Sequence, residues 1–159
     1  MVEAEKVLLD RFYQEYWIFA ILSLMTLIML IFLTVLYLVK FKTFKLTEKI
    51  IIPAVIVLLV IISIALVTYF SRYCADYAYL KSNSPIKNEG RVIEFTHAVG
   101  DGDLTVTYSR PLILMEGTND QVILNVIKAE AKLNIGQTYT FVYLPNTGIA
   151  EVVNPNVIN

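Results

Sequence analysis

The chain has 159 residues, of which 57% are hydrophobic and only 17% are charged, and its formal net charge is −1. Soluble domains are typically about half apolar and about a quarter charged, so this composition argues against an ordinary soluble domain. Aromatic residues reach 12%, and glycine and proline are few, which excludes a disordered or fibrous chain. The single cysteine excludes a disulfide-stapled fold or a cysteine-rich metal site.

The excess of hydrophobic residues lies in two blocks without any charge, residues 17–39 and 50–70. At about 1.5 Å per helical residue, each block is long enough to cross the roughly 30 Å hydrocarbon core of a bilayer. A buried helix of a soluble protein would normally carry a polar stripe, which both blocks lack. Pro53 lies one turn into the second block and marks a helix start. The sequence therefore predicts two transmembrane helices.

The segments that flank these blocks differ in charge. The leader, residues 1–16, has a net charge of −2 and is predicted to be helical, whereas a cleaved signal peptide would begin with a basic region. The connecting loop, residues 40–49, holds four lysines against Glu48. Short loops rich in lysine stay in the cytoplasm. We therefore expect a two-span protein of the cell membrane with both termini extracytoplasmic.

The character of the chain changes after the second span. Residues 71–88 read as a juxtamembrane helix followed by a linker, and all six glycines lie between Gly90 and Gly148. Alternating apolar residues bounded by turn signals indicate strands. We predict an extracytoplasmic β-domain over residues 89–159, with strands at about 90–99, 104–108, 111–116, 121–127, 137–144 and 149–153.

The predicted fold class is an α+β membrane protein, in which a transmembrane hairpin precedes a small all-β, OB-like barrel. Closure is favoured because an open sheet would leave edges that pair with other chains. The segment before Gly136 would supply the short helix or irregular connection of such a barrel. A small SH3-like or sandwich fold is the alternative.

Three runs in this region carry a resemblance: Gly90–Val92, Leu133–Tyr139 and Tyr143–Thr147. They resemble a group of small bacterial membrane proteins whose extracytoplasmic β-domain opens with Gly-x-Val and closes with Gly-x-x-[Tyr/Val]-x-[Phe/Val]-x-Tyr-x-Pro. The layout is also similar to that of short NfeD-like proteins, which join membrane helices to an OB-fold. The resemblance implies a protein that assists or scaffolds other membrane proteins, and it implies no catalytic residues.

Candidate catalytic residues are sparse. His97 is the only histidine, and by period-2 counting it shares a strand face with Ile93 and Phe95. A zinc site is not expected without further ligands. A triad would need His97 to meet a nucleophile and a carboxylate, and no nucleophile-elbow pattern surrounds any serine. In such a triad, Ser109 would be the nucleophile and Glu94 or Asp103 the carboxylate. We therefore predict no enzyme activity, no catalytic residues and no cofactor.

Two other features invite a site interpretation. The turn Asp101-Gly102-Asp103, together with Glu116 and Asp120, resembles a fragment of a calcium loop, but Asp-Gly is also common hairpin chemistry and suffices as an explanation. Cys74 follows the second span, where it is either an unpaired thiol or the site of an intermolecular disulfide. We predict no metal site.

The lysine-rich loop also has two interpretations. Its lysines alternate with Phe41, Phe44 and Leu46, which suits a turn that attracts anionic lipid. Alternatively, the lysines only determine topology and reach the interface with their long side chains.

The expected function is that of a membrane-anchored accessory or scaffold protein whose outer β-domain binds a partner membrane or envelope protein. An immunity or pore-modulating protein that protects against an envelope-acting toxin is the alternative. The bilayer is an expected partner, and a second copy of the chain is a further candidate. Nucleic acid is not expected, because the outer domain is acidic and its basic residues are scattered.

Overall fold

The computed structural model describes residues 2–96, 110–118, 120–126 and 129–153. Two helices come first, α1 over Val2–Lys40 and α2 over Leu46–Leu80. The strands are β1 over Ile86–Thr96, β2 over Arg110–Met115, β3 over Gln121–Ile123, β4 over Asn125–Val126, β5 over Thr138–Tyr143 and β6 over Ile149–Val152. A short helix, α3 over Ala129–Lys132, lies between β4 and β5. The α+β layout predicted from the sequence is confirmed at this level.

The chain divides into two compact units. One unit contains Tyr13–Cys74, and the other contains Met1–Phe12 together with Ala75–Asn159. Both long helices are long and apolar enough to cross a membrane. With 39 and 35 residues, they extend for about 58 and 52 Å, well beyond the charge-free blocks. The leader is therefore helical, and α2 continues ten residues past Phe70.

Within the unit Tyr13–Cys74, α1 and α2 pack against each other, and each helix uses one stripe of residues for this contact. Tyr16 contacts Phe70 at 5.3 Å between ring centroids, and Phe19 contacts Tyr69 and Tyr73 at 6.2 and 5.0 Å. The less exposed residues recur at alternating spacings of four and three, as in an antiparallel coiled coil. They are Tyr16, Phe19, Ser23, Thr26, Leu30, Leu33 and Tyr37 on α1, and Ile52, Ile56, Leu59, Ser63, Leu66, Phe70 and Tyr73 on α2. Large apolar side chains on the other faces are exposed, as lipid contact would require.

The second unit is built on a six-stranded mixed sheet with the strand order β3-β2-β1-β5-β6-β4. All neighbouring strands are antiparallel except β4 and β6, which pair in parallel. The two strands at the ends of this order, β3 and β4, are separated in the chain by Leu124 alone. Segment 121–126 therefore pairs with β2 through its first half and with β6 through its second half.

Inward-facing residues of these strands form the core. Tyr139 and Phe141 lie in it, and Tyr143 packs against it, so the predicted alternation of the 137–144 strand is confirmed. Val92, Ile113 and Leu124 are fully buried. Gly90 is required at its position because an added Cβ would lie 2.4 Å from Cγ2 of Ile113. This contact gives a packing reason for the glycine that opens the Gly-x-Val run.

The first strand differs from the sequence prediction in two ways. It begins at Ile86 rather than at about 90, directly after Pro85, and it pairs there with β5. A bulge between Val92 and Glu94 also shifts the inward register, so Val92 is buried while Ile93 is exposed. The predicted common face of Ile93 and Phe95 is therefore wrong. The predicted strand at 104–108 lies outside the described residues.

Candidate functional site

The most elaborate polar arrangement in the sheet unit centres on Asp76, near the end of α2. Its carboxylate is fully buried and accepts four hydrogen bonds. Oδ1 accepts from the backbone N–H and from Nδ2 of Asn146, at 3.0 and 2.8 Å. Oδ2 accepts from the backbone N–H and from Oγ1 of Thr147, at 2.8 and 2.6 Å. All four donors are neutral groups of one turn, so the carboxylate is stabilised by hydrogen bonds alone.

The local sequence explains why this turn presents its donors together. Pro145, Asn146 and Thr147 form the turn between β5 and β6, and Gly148 follows with a φ of 68°. The Gly148 N–H donates to the Leu144 carbonyl at 3.1 Å, and the Leu144 N–H donates to the Ile149 carbonyl at 2.9 Å. The N–H groups of Asn146 and Thr147 are not used in these bonds. Successive N–H groups of this kind form a concave site that binds an anionic oxygen. Asp76 supplies that anion from within the chain.

The beginning of α1 approaches the same region of the sheet. Arg11 donates from Nη1 to the carbonyl of Asn125 at 2.9 Å, and the Asn125 N–H donates to the carbonyl of Gly148 at 2.7 Å. Leu8 and Phe12 are 1% and 0% exposed. Residues at i, i+3 and i+4 share a helix face, so Leu8, Arg11 and Phe12 all face the sheet. We call this arrangement of α1, Asp76 and the 145–148 turn the junction.

Sequence reasoning missed the junction. Asp76 was interpreted only as part of a juxtamembrane helix, and its partners lie 70 and 71 residues further along the chain. One signal was present: Asp76 lies three residues after Tyr73, and residues at i and i+3 share a helix face. An acidic residue on an otherwise apolar stripe indicates a buried hydrogen-bond acceptor.

A second feature is the outward surface of β1, β2 and β3, which we call the outer face. Cross-strand partners point to the same side of a sheet. The register aligns Glu94 with Leu112 and Ile123, and Arg91 with Leu114 and Gln121. Ile123 is 50% exposed and Leu112 is half-buried. The outer face therefore combines a short apolar row with charged and polar neighbours.

Two further polar contacts lie in this unit. Lys132 of α3 forms an ion pair with Glu151 of β6, whose side chain is largely buried. Burial raises the pKa of the Tyr143 hydroxyl, and the nearby Tyr79 and Asp120 raise it further. Tyr143 is therefore neutral at physiological pH, and Lys132 and Glu151 neutralise each other. Neither the Lys132–Glu151 ion pair nor the Tyr143 hydroxyl offers a reactive group.

The residues singled out from the sequence do not come together in the described structure. His97, Asp101, Asp103 and Ser109 lie outside the described residues, so neither the triad nor the calcium candidate is tested. Within the described ranges, Glu94 is exposed on the outer face, and Glu116 and Asp120 are exposed between β2 and β3. Cys74 is an exposed free thiol on α2. No group of three His, Cys, Asp or Glu side chains suited to a metal ion occurs among the residues described.

The part of the chain that the structure describes thus offers a packed junction and an exposed amphipathic surface. No protein-family model, curated protein or solved structure matches this chain.

Proposed function

We propose that the chain is a two-span membrane protein that presents its β-domain outside the cytoplasm, where the domain binds a partner membrane or envelope protein. The observation that carries this proposal is the junction. Asp76, Leu8 and Phe12 are essentially inaccessible, and hydrogen bonds join Arg11 to Asn125 and Asp76 to the turn 145–148. The first residues of α1 and the last residues of α2 therefore belong to the same compact unit as the sheet.

The junction also supports the hairpin topology. Arg11 and Asn125 are joined by a hydrogen bond, and both charge-free blocks lie between them in the chain. Two residues in contact must be on the same side of a membrane, which requires an even number of crossings between them. Two crossings satisfy this condition and one does not. The lysines of loop 40–49 then favour a cytoplasmic loop and external termini.

The strand pairing supports an OB-like barrel as the fold of this domain. OB-folds are five-stranded Greek-key barrels that are partly open. If segment 121–126 is counted as one strand, the described part of the chain has five strands, with a short helix before the fourth. That segment pairs with β2 on one side and β6 on the other, which would close the sheet on itself.

The outer face is the surface we propose for the partner. Its apolar row is small, with charged residues beside it, as expected of a contact that forms and dissociates between folded proteins. A partner membrane or envelope protein would meet this surface on the extracytoplasmic side.

Orientation is tested by cysteine labelling. In a Cys74→Ser background, single cysteines are placed at Lys42 in the loop and at Thr118 in the β2–β3 turn, both of which are exposed. An impermeant maleimide should label position 118 in intact cells, and position 42 only after permeabilisation. Labelling of position 42 from outside would overturn the topology.

Partner binding is tested with a photo-crosslinking amino acid placed at Ile123 on the outer face. The matched control carries the same amino acid at Ile135, which is 62% exposed in the turn before β5. We expect one discrete adduct with a membrane or envelope protein from position 123, and its loss when Leu112→Asp is added. Absence of an adduct at 123, or the same adduct from both positions, would contradict the proposal.

A further inference from the structure

The turn between the two helices, residues 40–49, has a defined conformation. The N–H and Oγ1 of Thr43 both donate to the carbonyl of Lys40, at 3.0 and 2.9 Å. Oε2 of Glu48 accepts the backbone N–H of Lys45 at 2.9 Å, which is the return bond of a helix capping box. Because both helix ends are capped, the positions of the lysines are set by the fold. We call this segment the lysine turn.

Aromatic side chains lie at the centre of the lysine turn. The Tyr37 ring is 5.3 Å from the ring of Phe41 and 6.3 Å from that of Phe44. Nζ of Lys49 lies 4.9 Å above the Phe41 ring, which is itself partly exposed. Of these rings, Tyr37 is amphipathic, and tyrosine is enriched at the level of lipid headgroups. The ammonium groups around them would lie at the same level.

The positive charge of the lysine turn is not neutralised within the described structure. Lys40, Lys42 and Lys45 are exposed, and no described carboxylate forms an ion pair with them or with Lys49. The only carboxylate of the segment belongs to Glu48, which is used to cap α2. The segment therefore carries a net charge of +3, and an anionic membrane surface attracts each such lysine by about 1 kcal/mol.

We propose that the lysine turn binds the phosphate groups of anionic phospholipids. The proposal rests on membrane insertion of the two helices, but not on the direction in which the loop faces or on a protein partner. Lysine ammonium groups bind phosphate as compact point charges. A zwitterionic headgroup carries its own cation, which competes with the lysines, so the turn should select lipids with a net negative charge.

The experiment uses the full chain in detergent, with retention of added lipid measured by native mass spectrometry. We expect phosphatidylglycerol to be retained at least about fivefold better than phosphatidylcholine, which corresponds to the attraction of one lysine to an anionic surface. A Lys42→Gln/Lys45→Gln variant should lose this preference and retain the two lipids about equally. The matched control is Lys6→Gln/Lys81→Gln, which removes two lysines outside the turn.

Equal retention of the two lipids by the unmodified protein, or an unchanged preference in the Lys42/Lys45 variant, would overturn the proposal. A further arm adds inorganic phosphate at the concentration of the lipid headgroups. Displacement of the lipid by phosphate would show a general anion site and would also overturn it. Flotation with vesicles of pure phosphatidylcholine separates membrane insertion from lipid selection. A protein that fails to float lacks the proposed insertion. A protein that floats but shows no lipid preference contradicts only the lipid selection proposed for the lysine turn.

Discussion

Replacing Phe12 with alanine is expected to lower the free energy of unfolding of the sheet unit by about 3–5 kcal/mol, the usual cost of truncating a fully buried phenylalanine. Phe12 is completely inaccessible, although it lies on a helix that is exposed for most of its length. The cost arises from lost apolar burial and from the cavity that the ring leaves between α1 and the sheet. Hydrogen exchange of the β5 and β6 amides in detergent, combined with urea-dependent pulse proteolysis, measures the change.

Val7→Ala is the matched control for this prediction. Val7 also lies near the start of α1, but its side chain is 46% exposed. Its truncation should therefore change the free energy of unfolding by less than about 0.5 kcal/mol. If Phe12→Ala were as mild as Val7→Ala, the start of α1 would not be part of the sheet unit. The observation that carries the proposed function would then be lost.

Replacing Asp76 with alanine is expected to destabilise the same unit by about 3–5 kcal/mol. The change removes the acceptor of four hydrogen bonds, and the side chains of Asn146 and Thr147 can rotate to other partners. Their two backbone N–H groups cannot, and an N–H left unpaired at this partly buried site costs about 1–3 kcal/mol. The amides of residues 146 and 147 should therefore show the largest local increase in hydrogen exchange.

Two further variants separate hydrogen bonding from loss of volume or charge. Asp76→Asn keeps the size of the side chain and one carbonyl oxygen, so it should cost about half as much as alanine. Asp10→Asn removes an exposed carboxylate from the same unit and should be nearly neutral. An Asp76→Ala protein with the stability and exchange pattern of the Asp10 control would show that the junction does not hold the 145–148 turn.

Composition and local pattern predicted the elements well where one physical requirement dominated. A charge-free run of 21 or more residues permits little besides a long apolar helix, so the two helices were evident. Alternation of Tyr139, Phe141 and Tyr143 likewise identified a strand with one buried face. Turn residues such as Pro145 and Gly148 marked the connection between β5 and β6.

The remaining differences arise where distant residues override local preference. Residues 82–88 read as a linker, yet β1 begins within them, directly after Pro85, because Ile86 pairs with Tyr143 on another strand. Period-2 counting failed at Ile93 because a bulge adds one residue opposite Ile113. The junction could not be predicted because nothing near Asp76 in the sequence reveals the turn that binds it.

The separation of these partners has a consequence for the order in which the protein assembles. Arg11 and Asn125 are 114 residues apart, and the turn that binds Asp76 follows later still. At a synthesis rate of roughly 5–20 residues per second, α1 is made on the order of ten seconds before its contacts on the sheet exist. During that time, the proposed insertion of both apolar blocks would take place while Leu8 and Phe12 stay uncovered. Biogenesis therefore depends on keeping this newly made helix end from aggregating until the last two strands arrive.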